Sequence, residues 1–210
     1  IKSYPEIEDY TRFHLAEVFL SSGKIKKSLE QVNIIQRKFP KTLLLTKNNI
    51  LLAKILEKEN KIEEALKLLT EIENRISTLS KSSEYRLHLP EIIYYQGHLF
   101  QKSGQLNEAY NRYRFLHIGF PTNDLTYKAK KEMKRIAKED ASIIIKPLTL
   151  DEYEKRIKAL LKEVAYQQVV NEISELLKSK ISLPANFYFY LANGQKGLRK
   201  RNESISILKK

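Results

Sequence analysis

The sequence predicts an all-α protein in which helical hairpins stack one on the next into a solenoid, about eleven helices in two lobes. Three observations predict it. Leu, Lys, Glu and Ile dominate the 210 residues while only 6 Gly and 6 Pro punctuate them, a balance that favours helices over strands. Apolar residues recur at helical spacing through most of the chain. Small residues, turn residues and prolines also return at fixed offsets, which marks internal repeats.

The first repeat reads Leu15-Ala16, Phe19, Gly23, Ile25, Ser28, Val32, Ile35 and Phe39-Pro40. The second carries Leu52-Ala53, Leu56, Asn60, Ile62, Ala65, Leu69 and Ile72, and the third Gly97, Phe100, Gly104, Leu106, Ala109, Tyr113, Leu116 and Phe120-Pro121. A small residue (Ala16, Ala53, Gly97) lets the first helix approach its partner. Seven places on, Gly23, Asn60 or Gly104 can take positive φ and end that helix. Twelve places on, Ser28, Ala65 or Ala109 sits where the two helices cross. This cadence resembles the tetratricopeptide (TPR) repeat, closing Pro included, with the period stretched from about 34 residues to 37 between Ala16 and Ala53 and 44 between Ala53 and Gly97. Two further copies, on Ile157, Leu160, Val164, Tyr166 and Val169 and on Leu191-Ala192, Ser204 and Leu208, keep the offsets without a turn Gly.

The helices follow in order at about 5–21, 25–38, 42–58, 62–78, 88–102, 106–119, 123–138, 150–163, 166–178, 184–199 and 202–210. Ser77 to Ser83 is Ser-rich and reads as a long loop. Thr122 or Asn123 caps the helix after Pro121, with Asp124 in its first turn. That helix has no partner: Ala141-Ser142-Ile143-Ile144-Ile145-Lys146-Pro147 breaks the period and reads as a connector whose isoleucines pack on helix ends, a short strand being the alternative. The expected organisation is TPR-like repeats over 1–138, a connector over 139–149 and degenerate repeats over 150–210.

Composition excludes whole classes of chemistry. Zero Cys removes disulfides, thiolate metal sites and cysteine nucleophiles. The four His (His14, His88, His98, His117) lack metal-ligand spacing and read as surface or core residues, and no Gly-rich phosphate loop or nucleophile elbow is present. Paired acids such as Glu63-Glu64 and Asp151-Glu152 fall where carboxylates support helix starts. No catalytic residue, cofactor or metal is therefore expected. No apolar run reaches the roughly 18 residues of a membrane span. The chain starts at Ile1 without a leader, which reads as a piece of something longer.

With 38 Lys plus Arg against 25 Asp plus Glu the net charge is +13. The excess is Lys, 28 against 10 Arg, whereas base and bidentate phosphate recognition favour Arg, so nucleic acid is not the expected partner. The densest cluster, Lys128 to Lys138, reads as a solvated helix face with its cations near the helix C-terminus. The 12 Tyr and 8 Phe are more informative. In TPR-like solenoids the first helix of each hairpin lines the concave face, and the repeat register puts Tyr10, Phe13, Tyr94, His98 and Phe189 there. Such rings stack on peptide or sugar; the competing reading is that they fill core between repeats.

Tyr4-Pro5-Glu6-Ile7-Glu8-Asp9-Tyr10 with Leu15-Ala16 and Phe39-Pro40 resembles the start of the helical region of soluble lytic murein transglycosylases. Tyr113-Arg114 leading to Phe120-Pro121-Thr122-Asn123, and Pro147-Leu148-Thr149-Leu150-Asp151-Glu152-Tyr153 with Arg156, Leu160-Leu161, Tyr166 and Val169, resemble later segments of it. The resemblance implies a curved, noncatalytic, periplasmic superhelix that positions peptidoglycan or an envelope protein for a lysozyme-like domain, whose acid is a Glu before Ser and an aromatic residue. Glu203-Ser204 matches that setting superficially, but Ile205 replaces the aromatic and Ser204 holds the helix-crossing position of the fifth repeat. A free-standing TPR-like scaffold that captures a peptide in its groove is the alternative.

Overall fold

A computed structural model describes residues 7–78, 83–179 and 181–209. Among them are eleven α-helices and no strand: α1 (Glu8–Ser21), α2 (Ile25–Lys38), α3 (Leu45–Lys58), α4 (Ile62–Ser77), α5 (Ser83–Lys102), α6 (Leu106–Gly119), α7 (Asp124–Glu139), α8 (Leu150–Lys162), α9 (Tyr166–Lys178), α10 (Ala185–Gly197) and α11 (Arg201–Leu208). The chain divides into two compact units, Ile1–Ala109 and Tyr110–Lys210, with the boundary inside α6.

One turn is used five times. Gly23, Asn60, Gly104, Val164 and Arg199 have φ of 74°, 62°, 78°, 61° and 64°. At each, the following amide reaches back to the same carbonyl of the helix just ended. Lys24 N donates to Phe19 O at 2.8 Å, Lys61 to Leu56 at 2.9 Å, Gln105 to Phe100 at 2.8 Å, Ala165 to Leu160 at 2.9 Å and Lys200 to Gln195 at 2.9 Å. A bond of that span satisfies a carbonyl that a helix end would otherwise strand. Gly tolerates the left-handed conformation freely and Asn at small cost, but Val and Arg do not. In the second unit the turn is thus held against the preference of its own residue.

What holds it is the crossing of the two helices. Ala16, Ala53 and Gly97 are buried, as are Ser28, Ala65 and Ala109 opposite them. Ser28 Oγ donates to Ala16 O at 2.7 Å inside the first hairpin, and Ser204 Oγ donates to Ala192 O at 2.9 Å inside the last. The two bonds join equivalent positions, so Ser204 serves the hairpin crossing, as its place in the repeat predicts.

In the first unit the core beneath α1 to α3 is Phe13, Ala16, Val32, Ile35, Leu51 and Ile55. Consecutive helices pack, and α1 also touches α3 and α3 touches α5, so the first helices of successive hairpins form one layer. α5 begins at Ser83 rather than near 88, with Pro90 inside it. Pro90 suggests a helix start close by, but Leu89, Ile92 and Ile93 are buried together and carry the helix past it. Residues 79–82 of the Ser-rich segment, and Tyr4, Pro5 and Glu6 of the opening motif, lie outside the described residues.

In the second unit the core is Ile157, Leu160, Val169, Ile173, Leu176, Leu183, Phe187 and Leu191. Each such aliphatic side chain stabilises the fold by about 1.5–3 kcal/mol when fully buried. Asn123 caps α7 by accepting from Leu125 N at 3.0 Å, and Thr149 with Glu152 forms a reciprocal cap on α8. Between α7 and α8 the chain makes a turn at Ala141-Ser142 and then runs without regular secondary structure; Ile143 is buried, whereas Ile144 and Ile145 are exposed. Only one of the three isoleucines therefore packs inward.

Candidate functional site

The first-helix layer of the first unit carries the candidate site. On α1, Tyr10, His14 and Glu17 share a face at helical spacing, with Phe13 beside them. The Tyr10 and His14 rings meet edge to face at 4.4 Å, and His14 Nδ1 lies 2.8 Å from Glu17 Oε2. Phe13, Ile50 and Leu51 are buried and floor a cavity of about 270 Å³, whose rim holds Glu17, Lys47, Lys54 and Glu91. Three elements, α1, α3 and α5, supply these residues, and the rim carries both signs of charge.

Next to it lies a network centred on Glu57. Glu91, Tyr95, His98 and Lys102 recur along one face of α5. Tyr95 OH donates to one Glu57 carboxylate oxygen, while His98 Nε2 at 3.1 Å and Lys102 Nζ at 3.0 Å reach the other. Burial alone would raise the Glu57 pKa, but the donors Tyr95, Lys102 and His98 hold it down to about 2. Burial first, then Glu57, pushes the Tyr95 phenol well above its ordinary range. Tyr95 and His98 stack at 5.6 Å, and Lys54 pairs with Glu91 at 2.8 Å with its ammonium 5.8 Å from the Tyr95 ring centre.

The structure sets the sequence-derived groove residues in different surroundings. Tyr10 is exposed on α1, Phe13 is buried in the cavity floor, Tyr94 is half-buried and His98 belongs to the Glu57 network. Phe189 is exposed on α10 of the second unit. Tyr95, Glu57, Lys54 and Glu91 organise the face and were not selected from sequence. The signal was present for α5, where an acid, an aromatic, an imidazole and a lysine fall four, seven and eleven places apart. It was absent for Glu57, whose partners lie 38 to 45 residues away.

In the second unit two arginines organise a separate cleft. Arg114 donates to Glu152 at 2.9 and 2.6 Å and to the carbonyls of Lys146 at 2.8 Å and Pro147 at 3.0 Å, tying the connector to α6. The Arg114 guanidinium holds the Glu152 carboxyl down to about 2. Arg156 forks onto Glu172 at 2.8 to 2.9 Å and donates to the His117 carbonyl. His117 is pushed down to about 4, by burial first and then by the charges of Arg156, Lys130 and Arg114. The cleft measures about 500 Å³ and is bounded by His117, Lys130, Leu148, Tyr153, Arg156 and Leu176 among others. Arg114, Pro147, Thr149, Glu152 and Arg156, which carry much of the resemblance described above, are all occupied in holding this unit together. Among the described residues no cluster of three His, Asp or Glu could hold a metal ion, and no helix is long and apolar enough to cross a membrane.

No family model and no curated protein sequence matches the chain. Solved structures do. The protein is similar to one described as a Podosopora anserina kinesin light chain with nearly identical TPR-like repeats, at 14% identity and a TM-score of 0.51 over 97% of this chain and 93% of that one. It is similar to the TPR2AB domain of yeast Sti1 in complex with an Hsp90 peptide, at 16% identity and a TM-score of 0.53 over 95% of this chain and 74% of that one. It is also similar to Pseudomonas aeruginosa PilF, at 11% identity and a TM-score of 0.50 over 96% and 89%. These likenesses concern the fold alone and place the chain among TPR-like helical-hairpin solenoids.

Proposed function

We propose that the chain is a noncatalytic TPR-like scaffold that presents the first-helix face of its first unit to an extended partner. The observation that carries this reading is the convergence of α1, α3 and α5 on one apolar-floored cavity with Glu17, Lys47, Lys54 and Glu91 on its rim. Such a surface seats an apolar side chain while its rim charges orient the backbone or polar groups on either side.

The resemblance to soluble lytic murein transglycosylases gives this reading a finer form. In that form the partner is a peptidoglycan strand in the periplasm, positioned for a lysozyme-like domain, and the net charge of +13 draws in the acidic polymer through a screened, nonspecific attraction. What supports it is the sequence around Tyr113-Arg114 and from Pro147 to Tyr153. The alternative partner is a peptide, supported by the Hsp90 peptide held by the similar Sti1 domain.

Titration of the labelled protein with a muropeptide and with a panel of unstructured peptides, followed by NMR, tests both. Shifts of His14, Lys47, Tyr95 and His98 with either probe support the scaffold, and the probe that produces them names the partner class. Shifts confined to other surfaces would refute it. Assay of the complete gene product for peptidoglycan cleavage tests the finer form; an inactive product refutes that form and leaves the scaffold reading to the titration.

A further inference from the structure

We propose that the outer face of α7 is a second docking surface, for an acidic helical segment of a protein partner. It lies on a different element from the cavity described above and does not depend on it.

α7 buries Thr126, Ala129, Met133 and Ile136 and turns its other side to solvent. On that side Lys128, Lys131, Lys134, Arg135 and Lys138 are all exposed, and Tyr127 stands among them, 65% exposed. Arg135 is neutralised by Glu132 at 2.8 Å and Glu139 at 3.1 Å, which uses up the two acids nearest the stripe. The four lysines have no carboxylate within ion-pair distance among the described residues. Elsewhere in the same unit some lysines are neutralised inside their own helix: Lys155 pairs with Asp151, Lys158 with Glu154 and Lys178 with Glu175. The lysines of the α7 stripe have no such partner one turn away.

The spacing names the complement. Steps of three and four residues advance about 5 Å along a helix, close to the 5.4 Å pitch, so the stripe offers one ammonium per turn over about 15 Å. A helix with one carboxylate per turn on a single face matches that interval. Tyr127, with the Lys131 ammonium 4.6 Å from its ring centre, adds an apolar contact in the same stripe. Lysine ammoniums are point charges suited to separate carboxylates, whereas base-edge and bidentate phosphate recognition draws on forked arginines, and the one arginine here is already paired.

The test uses three labelled probes and fluorescence anisotropy. One is a helix-stabilised peptide of about four turns with Glu along one face; another has the same composition scrambled around the helix; the third is an oligothymidylate of equal charge. The patterned peptide should bind about tenfold more tightly than the scrambled one, with an affinity that falls steeply as salt rises. Lys128→Gln, Lys131→Gln, Lys134→Gln and Lys138→Gln together should remove about tenfold of that affinity. Lys155→Gln, Lys158→Gln and Lys178→Gln together should leave it within about twofold. Gln keeps helix propensity at these exposed sites, and unchanged circular dichroism certifies the comparison. Equal binding of the scrambled peptide, an equal loss in the control set, or tighter binding of the oligothymidylate would each overturn the proposal.

Discussion

The two units build the same hairpin from different local material. In the first, the turns fall on Gly23, Asn60 and Gly104, residues that accept positive φ; in the second they fall on Val164 and Arg199, which do not. The bonds that close the turns are alike in both, at 2.8 to 2.9 Å. The difference teaches that the turn is dictated by the packed pair of helices and that a favourable turn residue assists without being required. A β-branched residue in this conformation costs on the order of 1–3 kcal/mol, which the surrounding contacts must offset. The second unit adds two arginine clasps, Arg114 on Glu152 and Arg156 on Glu172.

The largest way to break the comparison is at a clasp. Arg156→Ala strands Glu172 and releases the His117 carbonyl, and should lower the stability of the second unit by about 3 kcal/mol in urea unfolding. A loss as small as that of an exposed pair would show that the clasp contributes little to the second unit. Gly197→Ala comes next. A Cβ there would stand 2.3 Å from the Tyr166 ring, so α10 or the ring must shift, with an expected cost of about 2 kcal/mol; an unchanged midpoint would contradict the close approach.

The pH response separates the units further. His117 is held neutral, with a folded pKa of about 4 against an ordinary 6.5. Its effect is nil above pH 6.5, and stability falls as pH drops towards 4, because the unfolded chain takes up the proton first. The expected loss is about 1 to 2 kcal/mol once solvent screening is allowed for. His117→Gln should flatten that window in the second unit. Glu57, held near 2 in the first, contributes stability that is present above about 4.5 and lost only as pH falls towards 2, below most of the His117 window. The smallest effect sharpens the comparison from the other side: Val164→Gly should stabilise the second unit by about 1 kcal/mol, relief of strain outweighing the greater freedom of Gly in the unfolded chain.

The hairpins are legible in the sequence because burial and crossing act on single positions at fixed offsets: Ala16 with Ser28, Ala53 with Ala65, Ala192 with Ser204. The turns at Val164 and Arg199 are legible only through those offsets, since the residues themselves argue against positive φ. α5 starts at Ser83, ahead of the expected 88, and the burial of Leu89, Ile92 and Ile93 that carries the helix through Pro90 is a tertiary effect. The site was legible in part. Repeat register selects the first-helix face and with it Phe13 and His98, but Tyr94 and Tyr95 differ only by the helix phase, and it is Tyr95 that meets Glu57. Pairings such as Lys54 with Glu91 and Arg114 with Glu152 join residues 37 and 38 positions apart, which no local spacing encodes.

The claim that one hairpin geometry runs through both units is tested most directly by amide hydrogen exchange at Lys24, Lys61, Gln105, Ala165 and Lys200, the five donors that close the turns. The account predicts that Ala165 and Lys200 are protected as strongly, relative to their own unit's core, as Lys24 and Lys61 are in theirs. Free exchange at Ala165 and Lys200 beside protected helix amides on either side would contradict it.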